Sequence, residues 1–326
     1  MKEKIIVTGA FGFIGSHLVE YLTTKNYNVI AFDRYNSNNN WGWLDKSKYL
    51  NDIEIVLGDI RDFDSVNSLV KKGSSIVHLA ALIGIPYSYV SPLAYIKTNV
   101  EGTYNILEAA KNNNLDQILI TSTSEVYGSA KYTPIDENHI LSPQSPYSAS
   151  KIAADNIAMS YYNSFDLPIK IVRPFNNFGP RQSERAIIPT IISQVLSKNS
   201  QKINLGNLLP TRDFTYVIDT CSAFLEIFSN NKFFGEITNI GTNSEISVKS
   251  LANKIIKLMN SNKEIYEESI RFRPKNSEVD RLVCSNDKLK NNSMWKPKYS
   301  IDQGLTLTID WFRKNNSQLK PSIFNV

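Results

Sequence analysis

The sequence is poor in the residues that build metal centres and covalent frameworks. Its 326 residues include two cysteines, Cys221 and Cys284, and three histidines, His17, His78 and His139. The cysteines lie far apart, so neither a zinc spacing nor a disulfide framework can be assembled from them. The histidines are scattered, so neither a metal site nor a catalytic histidine is expected. Long apolar runs are also missing. The longest, around Ile76 to Ile85, is interrupted by His78 and Gly84 and falls short of the roughly 20 residues of a membrane span. Ile5-Ile6-Val7, after Met1-Lys2-Glu3-Lys4, is too short for a signal peptide. No membrane partner is expected, and the expected location is cytoplasmic. A charge excess of one sign is scarce as well: 36 Lys and Arg against 31 Asp and Glu leave a net charge of +5. So small and dispersed an excess admits an anionic ligand but supplies no basic stripe for nucleic acid.

Hydrophobic residues make up 42% and charged residues 21%, which excludes both disorder and a fibrous protein. The length exceeds one typical domain of roughly 100–200 residues. Short apolar segments alternate with helical ones through the first half. Lys4–Thr8, Asn28–Asp33, Ile53–Leu57, Ser75–Leu79, Gln117–Thr121 and Ile169–Val172 read as buried strands. Ser16–Thr24, Ala94–Asn112 and Tyr147–Phe165 read as helices. Such alternation implies a parallel sheet covered on both faces, and right-handed crossovers make it a doubly wound α/β (Rossmann) fold. After about Asn176 the rhythm changes, with helices at Ile187–Lys198 and Val248–Met259 between irregular stretches. A smaller, partly discontinuous C-terminal substrate domain is expected. The boundaries are 1–175 plus about 214–240 for the dinucleotide-binding unit, and 176–213 plus 241–326 for the other.

Thr8-Gly9-Ala10-Phe11-Gly12-Phe13-Ile14-Gly15 follows the first strand and opens a helix. Gly9, Gly12 and Gly15 suit a tight turn, close approach of backbone N–H groups to a pyrophosphate, and helix-on-strand packing, with Phe13 and Ile14 in the first helical turn facing the phosphates. Asp33 ends the second strand 18 residues after Gly15. A carboxylate there binds both ribose hydroxyls of NAD and repels a 2′-phosphate. Asp59, with Ile60 beside it, either accepts from the adenine amino group or caps a helix. Leu79-Ala80-Ala81 ends the fourth strand with small side chains beside the same ligand.

Tyr147 and Lys151 stand four apart at the start of a helix and project from one face. An ammonium beside a phenol favours phenolate, which makes Tyr147 a usable base. Thr121-Ser122-Thr123-Ser124-Glu125-Val126-Tyr127-Gly128 follows the fifth strand, with Thr123 24 residues before Tyr147. The glycine loop, Thr123, and the Tyr147–Lys151 pair together resemble the extended short-chain dehydrogenase/reductase family over nearly the whole chain. The resemblance implies nucleotide-sugar chemistry with bound NAD. Thr123-Ser124-Glu125 resembles the Thr-Ser-Glu of GDP-mannose 4,6-dehydratases. In dTDP-glucose dehydratases the middle residue is Asp, the acid, so Ser124 leaves the acid's identity open. UDP-glucuronate decarboxylases share Ser-Thr-Ser-Glu-Val-Tyr-Gly but carry a Pro-Arg before the catalytic Tyr. Here that stretch is Ser142-Pro143-Gln144-Ser145-Pro146, without arginine, which favours dehydration.

Ala80–Tyr89, Pro210–Phe214 and Arg273–Val279 resemble N-acetylglucosamine nucleotide (GDP- or UDP-linked) 4,6-dehydratases of the legionaminic-acid pathway. Asn176, Arg212 and Arg273 match family residues that hold the sugar diphosphate, and Ser88 and Arg185 are further substrate candidates. Guanidinium forks suit phosphate oxygens. The resemblance also implies a homodimer through the helices at 94–112 and 147–165. The alternatives are a 4-epimerase or decarboxylase on the same scaffold, or a relative that senses NAD or binds RNA without turnover.

Overall fold

The computed structural model describes residues 3–316 and 319. The first half runs β1 (Lys4–Thr8), α1 (Phe13–Thr24), β2 (Asn28–Arg34), β3 (Ile53–Gly58), α2 (Phe63–Val70), β4 (Ser75–His78), α3 (Ile85–Val90), α4 (Pro92–Tyr95), α5 (Gly102–Asn112), β5 (Gln117–Thr121), α6 (Pro146–Phe165) and β6 (Ile169–Pro174). The second half runs β7 (Asn176–Phe178), α7 (Ile187–Leu196), β8 (Lys202–Leu205), β9 (Thr211–Arg212), β10 (Phe214–Tyr216), α8 (Val217–Phe228), β11 (Ile237–Ile240), β12 (Ile246–Ser247), α9 (Val248–Leu258), β13 (Glu264–Glu267), β14 (Arg281–Leu282), α10 (Asp287–Asn292) and α11 (Ile301–Lys314). Residues 1–2, 317–318 and 320–326, where the expected domain ranges begin and end, lie outside the described residues.

Seven strands form one sheet in the order β11-β6-β5-β4-β1-β2-β3, and every pair in it is parallel. Alternation within β1 shows why both faces need cover. Ile5 and Val7 enter the core shared with α1 and α8, while Ile6 enters the core shared with α2, α5 and α6. A strand buried on both faces has no polar side to give to water. The chain leaves β1 toward β2 and returns through β4 on the other side. That reversal opens a crevice at the carboxyl ends of the strands.

One helix differs from its reading. The segment expected as a single helix from Ala94 is α4, a π-helical stretch Ile96–Glu101, and α5. Asn99 sits inside the π stretch. Its carboxamide accepts from Leu82 N at 2.8 Å and donates to Leu82 O at 2.9 Å and to Ser150 Oγ at 2.9 Å. One extra residue in the turn points this side chain across to the loop after β4 and to α6, a common use of π bulges.

In the second half, β7 pairs with β10 in parallel, and β9 lies between β12 and β14. The chain then returns: α8 packs on α1, and β11 pairs with β6 at the edge of the main sheet. Three contacts tie the later segments to the first helices. His17 on α1 donates from Nε2 to the Pro180 carbonyl at 3.0 Å. Arg181 pairs with Glu20 at 2.9 Å. Trp43 meets Trp311 of α11 edge-on at 5.2 Å. Phe178 is fully buried between Phe214 and Tyr216, and a Cβ on Gly304 of α11 would stand 2.6 Å from its ring. Phe178→Ala opens a cavity that rigid neighbours cannot fill. It is expected to cost about 3–5 kcal/mol, read as a lowered unfolding midpoint in urea.

Candidate active site

The site grows from the carboxyl end of β5. Beyond Thr121 the chain stays extended to Thr123, then turns into a 3-10 helix, Ser124–Tyr127, with Thr123 Oγ1 accepting from Glu125 N. Gly128 ends that turn at φ +62°, and a Cβ there would meet the Ser142 carbonyl at 2.3 Å. Alongside, α6 starts sharply. Pro146 occupies its first turn, and Ser145 and Ser148 satisfy each other's backbone N–H groups in a capping box. That start brings Tyr147, Lys151 and Asp155 to the buried face of α6.

Three consecutive residues grip this face. Thr121 accepts from Lys151 Nζ on its carbonyl at 2.6 Å. Ser122 donates from Oγ to Asp155 Oδ2 at 2.8 Å. Thr123 hydrogen-bonds the Tyr147 hydroxyl. The Tyr147 ring rests edge-on against Tyr95 at 6.1 Å, and Tyr95 is itself anchored by its hydroxyl on the Gly84 carbonyl at 2.5 Å. The Glu125 side chain is only partly buried, acts electrostatically on Tyr147 and Arg212, and its carboxylate has no hydrogen-bond partner among the described residues. Ser124 is buried beside it, its hydroxyl likewise unpartnered among the described residues.

The electrostatics depart from the simple expectation for a Tyr–Lys pair. Burial raises the Tyr147 phenol well above its ordinary value, the bond from Thr123 opposes this, and Glu125 adds to it. Burial lowers Lys151 to about 8, while Asp155 pulls it upward. The ammonium's direct bond goes to the Thr121 carbonyl and not to the phenol, so desolvation outweighs any depression of Tyr147 by Lys151.

The glycine loop is built to hold a dinucleotide. Gly9 has φ +69°, and a Cβ there would strike Ala80 N at 2.8 Å; on Gly15 it would strike the Gly9 carbonyl at 2.1 Å. On Gly12 a Cβ would meet only the Gly9 carbonyl, at 3.4 Å, so this glycine keeps the outer face of the loop bare for a phosphate. Phe13 and Ile14 open α1 with their side chains half-buried. Asp33 accepts from Phe11 N at 2.8 Å and Arg34 N at 2.7 Å, which fixes its carboxylate against the loop. Leu79 and Ala80 donate their N–H groups to Thr8 Oγ1 at 3.2 Å each, and Ala81 follows half-buried. Asp59 is taken by Arg61, whose Nη2 lies 2.5 Å from Oδ2, and the cap of α2 is Asp62 instead. Ile60 is buried, its side chain against Gly102.

The substrate candidates fall into two groups. Arg212 feels the charges of Glu125 and Arg273, and Glu278 pairs with Arg212 at 3.4 Å. Asn176 Nδ2 and Arg273 Nη1 are buried donors without a partner among the described residues. Two such donors suit an anionic, oxygen-rich ligand, because leaving them unpaired is costly. Arg185 is exposed and reaches Tyr95 electrostatically. Ser88 is fully buried and donates to the Ile85 carbonyl at 2.6 Å, so its hydroxyl serves its own helix.

The sequence did not point to His78, Asn99, Ser122, Asp155 or Arg173. Thr8 accepts two N–H groups, so its hydroxyl proton goes to His78 Nδ1 at 2.8 Å; Nε2–H then faces Thr103 Oγ1 at 3.3 Å. Burial holds this imidazole neutral, its pKa lowered to about 3. The only sequence sign of Asp155 is its place four residues after Lys151. Among the described residues no group of His, Cys, Asp and Glu can hold a metal, and no helix is long and apolar enough to cross a membrane.

A family model described as GDP-mannose 4,6 dehydratase matches residues 6–308. The chain belongs to that family. It is an extended short-chain dehydrogenase/reductase of the nucleotide-sugar dehydratase, epimerase and decarboxylase group, and its cofactor is NAD. It is 33% identical over 322 residues to the dTDP-D-glucose 4,6-dehydratase of Homo sapiens, covering 96% of this chain and 91% of the human one. It is 33% identical over 330 residues to a UDP-N-acetyl-alpha-D-glucosaminuronate decarboxylase of Bacillus cytotoxicus, covering 96% and 99%. A crystal structure of dTDP-glucose 4,6-dehydratase from Bacillus anthracis in complex with NAD superposes with a TM-score of 0.85 at 33% identity, covering 97% and 98%. In a family member with this loop, Gly15→Ala is expected to yield protein purified without NAD, checked by the absorbance ratio and by release of the nucleotide on denaturation.

Proposed function

We propose that this chain carries out NAD-dependent 4,6-dehydration of N-acetylglucosamine linked to GDP or UDP, forming the 4-keto-6-deoxy sugar nucleotide, with a place in nonulosonic-acid synthesis. The observation that carries this reading is Glu125: a carboxylate with no protein partner among the described residues, beside the Tyr147 phenol and the Arg212 guanidinium. An epimerase needs no acid there, because hydride leaves and returns to the same carbon. A dehydratase needs a base for carbon 5.

Residues 1–175 with about 214–240 would hold NAD, and 176–213 with 241–326 the sugar nucleotide. Gly9, Gly12 and Gly15 receive the pyrophosphate, Asp33 the ribose hydroxyls, and Asp59, Ile60 and Leu79–Ala81 flank the adenosine. Asn176, Arg212 and Arg273 take the sugar diphosphate. NAD, when bound, accepts hydride from carbon 4 and returns it to carbon 6. Tyr147, oriented by Thr123 and assisted by Lys151, takes the proton of the carbon 4 hydroxyl. Oxidation there acidifies the proton on carbon 5, and Glu125 removes it. The hydroxyl of carbon 6 leaves as water, protonated by Glu125 or through Ser124. Hydride arrival at carbon 6 leaves an enolate, and the proton that Tyr147 took from the carbon 4 hydroxyl returns to carbon 5 to complete the 4-keto-6-deoxy product.

Glu125→Gln is expected to retain bound NAD and lose about 10²–10⁴-fold in turnover. Mass spectrometry over a panel of GDP- and UDP-sugars reads the product, lighter by one water for dehydration and unchanged for epimerisation. Turnover near wild type in that variant removes Glu125 from the chemistry. We further propose a homodimer through α5 and α6, whose surroundings expose Leu93, Ile96, Tyr104 and Phe165 to solvent in the single chain. Light scattering at micromolar concentration is expected to give twice the chain mass, and a monomer contradicts it.

A further inference from the structure

The end of β5 holds one residue more than the reaction above uses. Thr121 and Thr123 hold Lys151 and Tyr147, and Ser122 between them holds Asp155, one turn beyond Lys151. Asp155 is 2% exposed. Its donors converge on one oxygen: Ser122 Oγ at 2.8 Å, Arg173 Nε at 3.1 Å and Arg173 Nη2 at 2.9 Å all bond Oδ2. A guanidinium fork ordinarily spreads over both carboxylate oxygens. Here Oδ1 is buried and has no hydrogen-bond partner among the described residues. A carboxylate so completely desolvated and only half satisfied is costly, so a fold that merely needed an acid to pair with Arg173 had a cheaper geometry available.

We infer that Asp155 is a positioning residue of the proton relay: clamped by Arg173 and Ser122, its carboxylate keeps Lys151 an ammonium inside the protein. The charged and titratable groups around the pair and the phenol come from five elements. On α6 they are Tyr147, Lys151 and Asp155 themselves; β4 supplies His78, which stays neutral; β6 supplies Arg173; α4 supplies Tyr95; and the 3-10 helix supplies Glu125 and Tyr127. Burial raises Asp155, and Arg173 foremost, then Lys151, draws it back toward the ionised form. Asp155 is the charge that supports Lys151 against desolvation. Arg173, Asp155, Lys151 and the phenol therefore form an alternating row from the sheet to the reacting hydroxyl. Arg173 also lies 5.0 Å from the centre of the Tyr127 ring and donates to its hydroxyl at 3.1 Å, which ties the row to the 3-10 helix that bears Glu125.

The inference rests on the reading of Tyr147 and Lys151 as the relay, and an NMR titration tests it apart from turnover. In protein labelled with 13C-lysine, the Lys151 Cε resonance is assigned by its loss in Lys151→Arg. It is expected to titrate near 8 in the wild type. The double variant Asp155→Asn/Arg173→Gln removes both charges, so no buried cation is left unpaired. Its Lys151 midpoint is expected to fall by about one pH unit or more. The alkaline limb of kcat should move down with it, lowering the ratio of turnover at high to low pH about tenfold. Asp155→Glu keeps the charge and should leave the midpoint in the wild-type range. A double variant with the wild-type midpoint and kcat scaled equally at every pH overturns the inference. Should the double variant fail to retain NAD, Asp155→Glu still decides: a midpoint displaced downward despite the retained charge overturns it, and one in place supports it. If the NMR midpoint shifts while no sugar nucleotide is turned over, the proposed activity fails and the role of Asp155 stands.

Discussion

The junction between the end of β5 and the buried face of α6 is the constraint on which the site depends. Three successive residues, Thr121, Ser122 and Thr123, each hold one residue of the helix through a backbone carbonyl or a hydroxyl. Side chains on α6 at positions 147, 151 and 155 rise along one face by about 6 Å per four residues. Consecutive strand residues climb about 3.3 Å each. The three grips do not follow the helix in order, since Thr121, Ser122 and Thr123 take positions 151, 155 and 147 in turn, one through a main-chain oxygen and two through hydroxyls. The neighbouring strand fixes the height of the grip: Thr121 pairs with Val172 of β6, and Ser122 N donates to the Val172 carbonyl at 2.7 Å. Arg173, next along β6, is thereby brought to Asp155. The register of two strands thus decides which residues of α6 are held and which reach Arg173.

The Tyr147–Lys151 pair is assembled from groups that burial opposes. Taking a phenol and an ammonium out of water drives their acidities together and then past each other, with Tyr147 raised and Lys151 lowered to about 8. In such a pair the phenol does not ionise for lack of solvent, and it accepts a substrate proton only where neighbouring positive charge stabilises the phenolate. Whether Lys151 is charged therefore matters more than how close it lies to Tyr147. Its bond goes to the Thr121 carbonyl and not to the phenol, so any help it gives Tyr147 is through space. The free carboxylate of Glu125 lies on the opposite side of the same problem, since its charge raises Tyr147 further.

The parts of the site with local spacing were legible in the sequence. The glycine loop, Asp33, Thr123, Glu125, Tyr147 and Lys151 each follow a strand or open a helix, and the period of that element dictates which side they face. What the sequence hid depends on which strand lies beside which. Asp155 is an ordinary helix residue until β6 brings Arg173 to it. Asn99 was invisible because a π turn breaks the 3.6-residue period by one residue. Asp59 read as free for a ligand because nothing in a linear reading shows that Arg61 folds back onto it. Ser88 read as a substrate candidate because the helix of Ile85–Val90 is too short for its buried face to show as a pattern. Boundaries within the fold were near their readings, since Gly and Pro mark them. The pairing of β7 with β10 and of β9 with β14 was not legible: those strands are two or three residues long and carry no period.

Those short pairings matter because they bring the second half of the chain to the first. Arg212 lies in β9, whose partner β14 follows the segment bearing Arg273 and Glu278. That segment is fastened to the start of the relay helix. Ser277 Oγ donates to the Gln144 carbonyl at 2.6 Å, and Gln144 Nε2 donates to the Asn276 carbonyl at 2.9 Å. Tyr89, from the loop side of β4, bonds Ser277 at 2.5 Å. Gln144, in the stretch before Tyr147 that holds no arginine, thus uses neutral amide chemistry to join the two halves. A guanidinium there would bring a charge in need of a partner to a junction now held by neutral bonds. With an amide this junction stays uncharged, and Arg212 remains the cation that acts on Glu125.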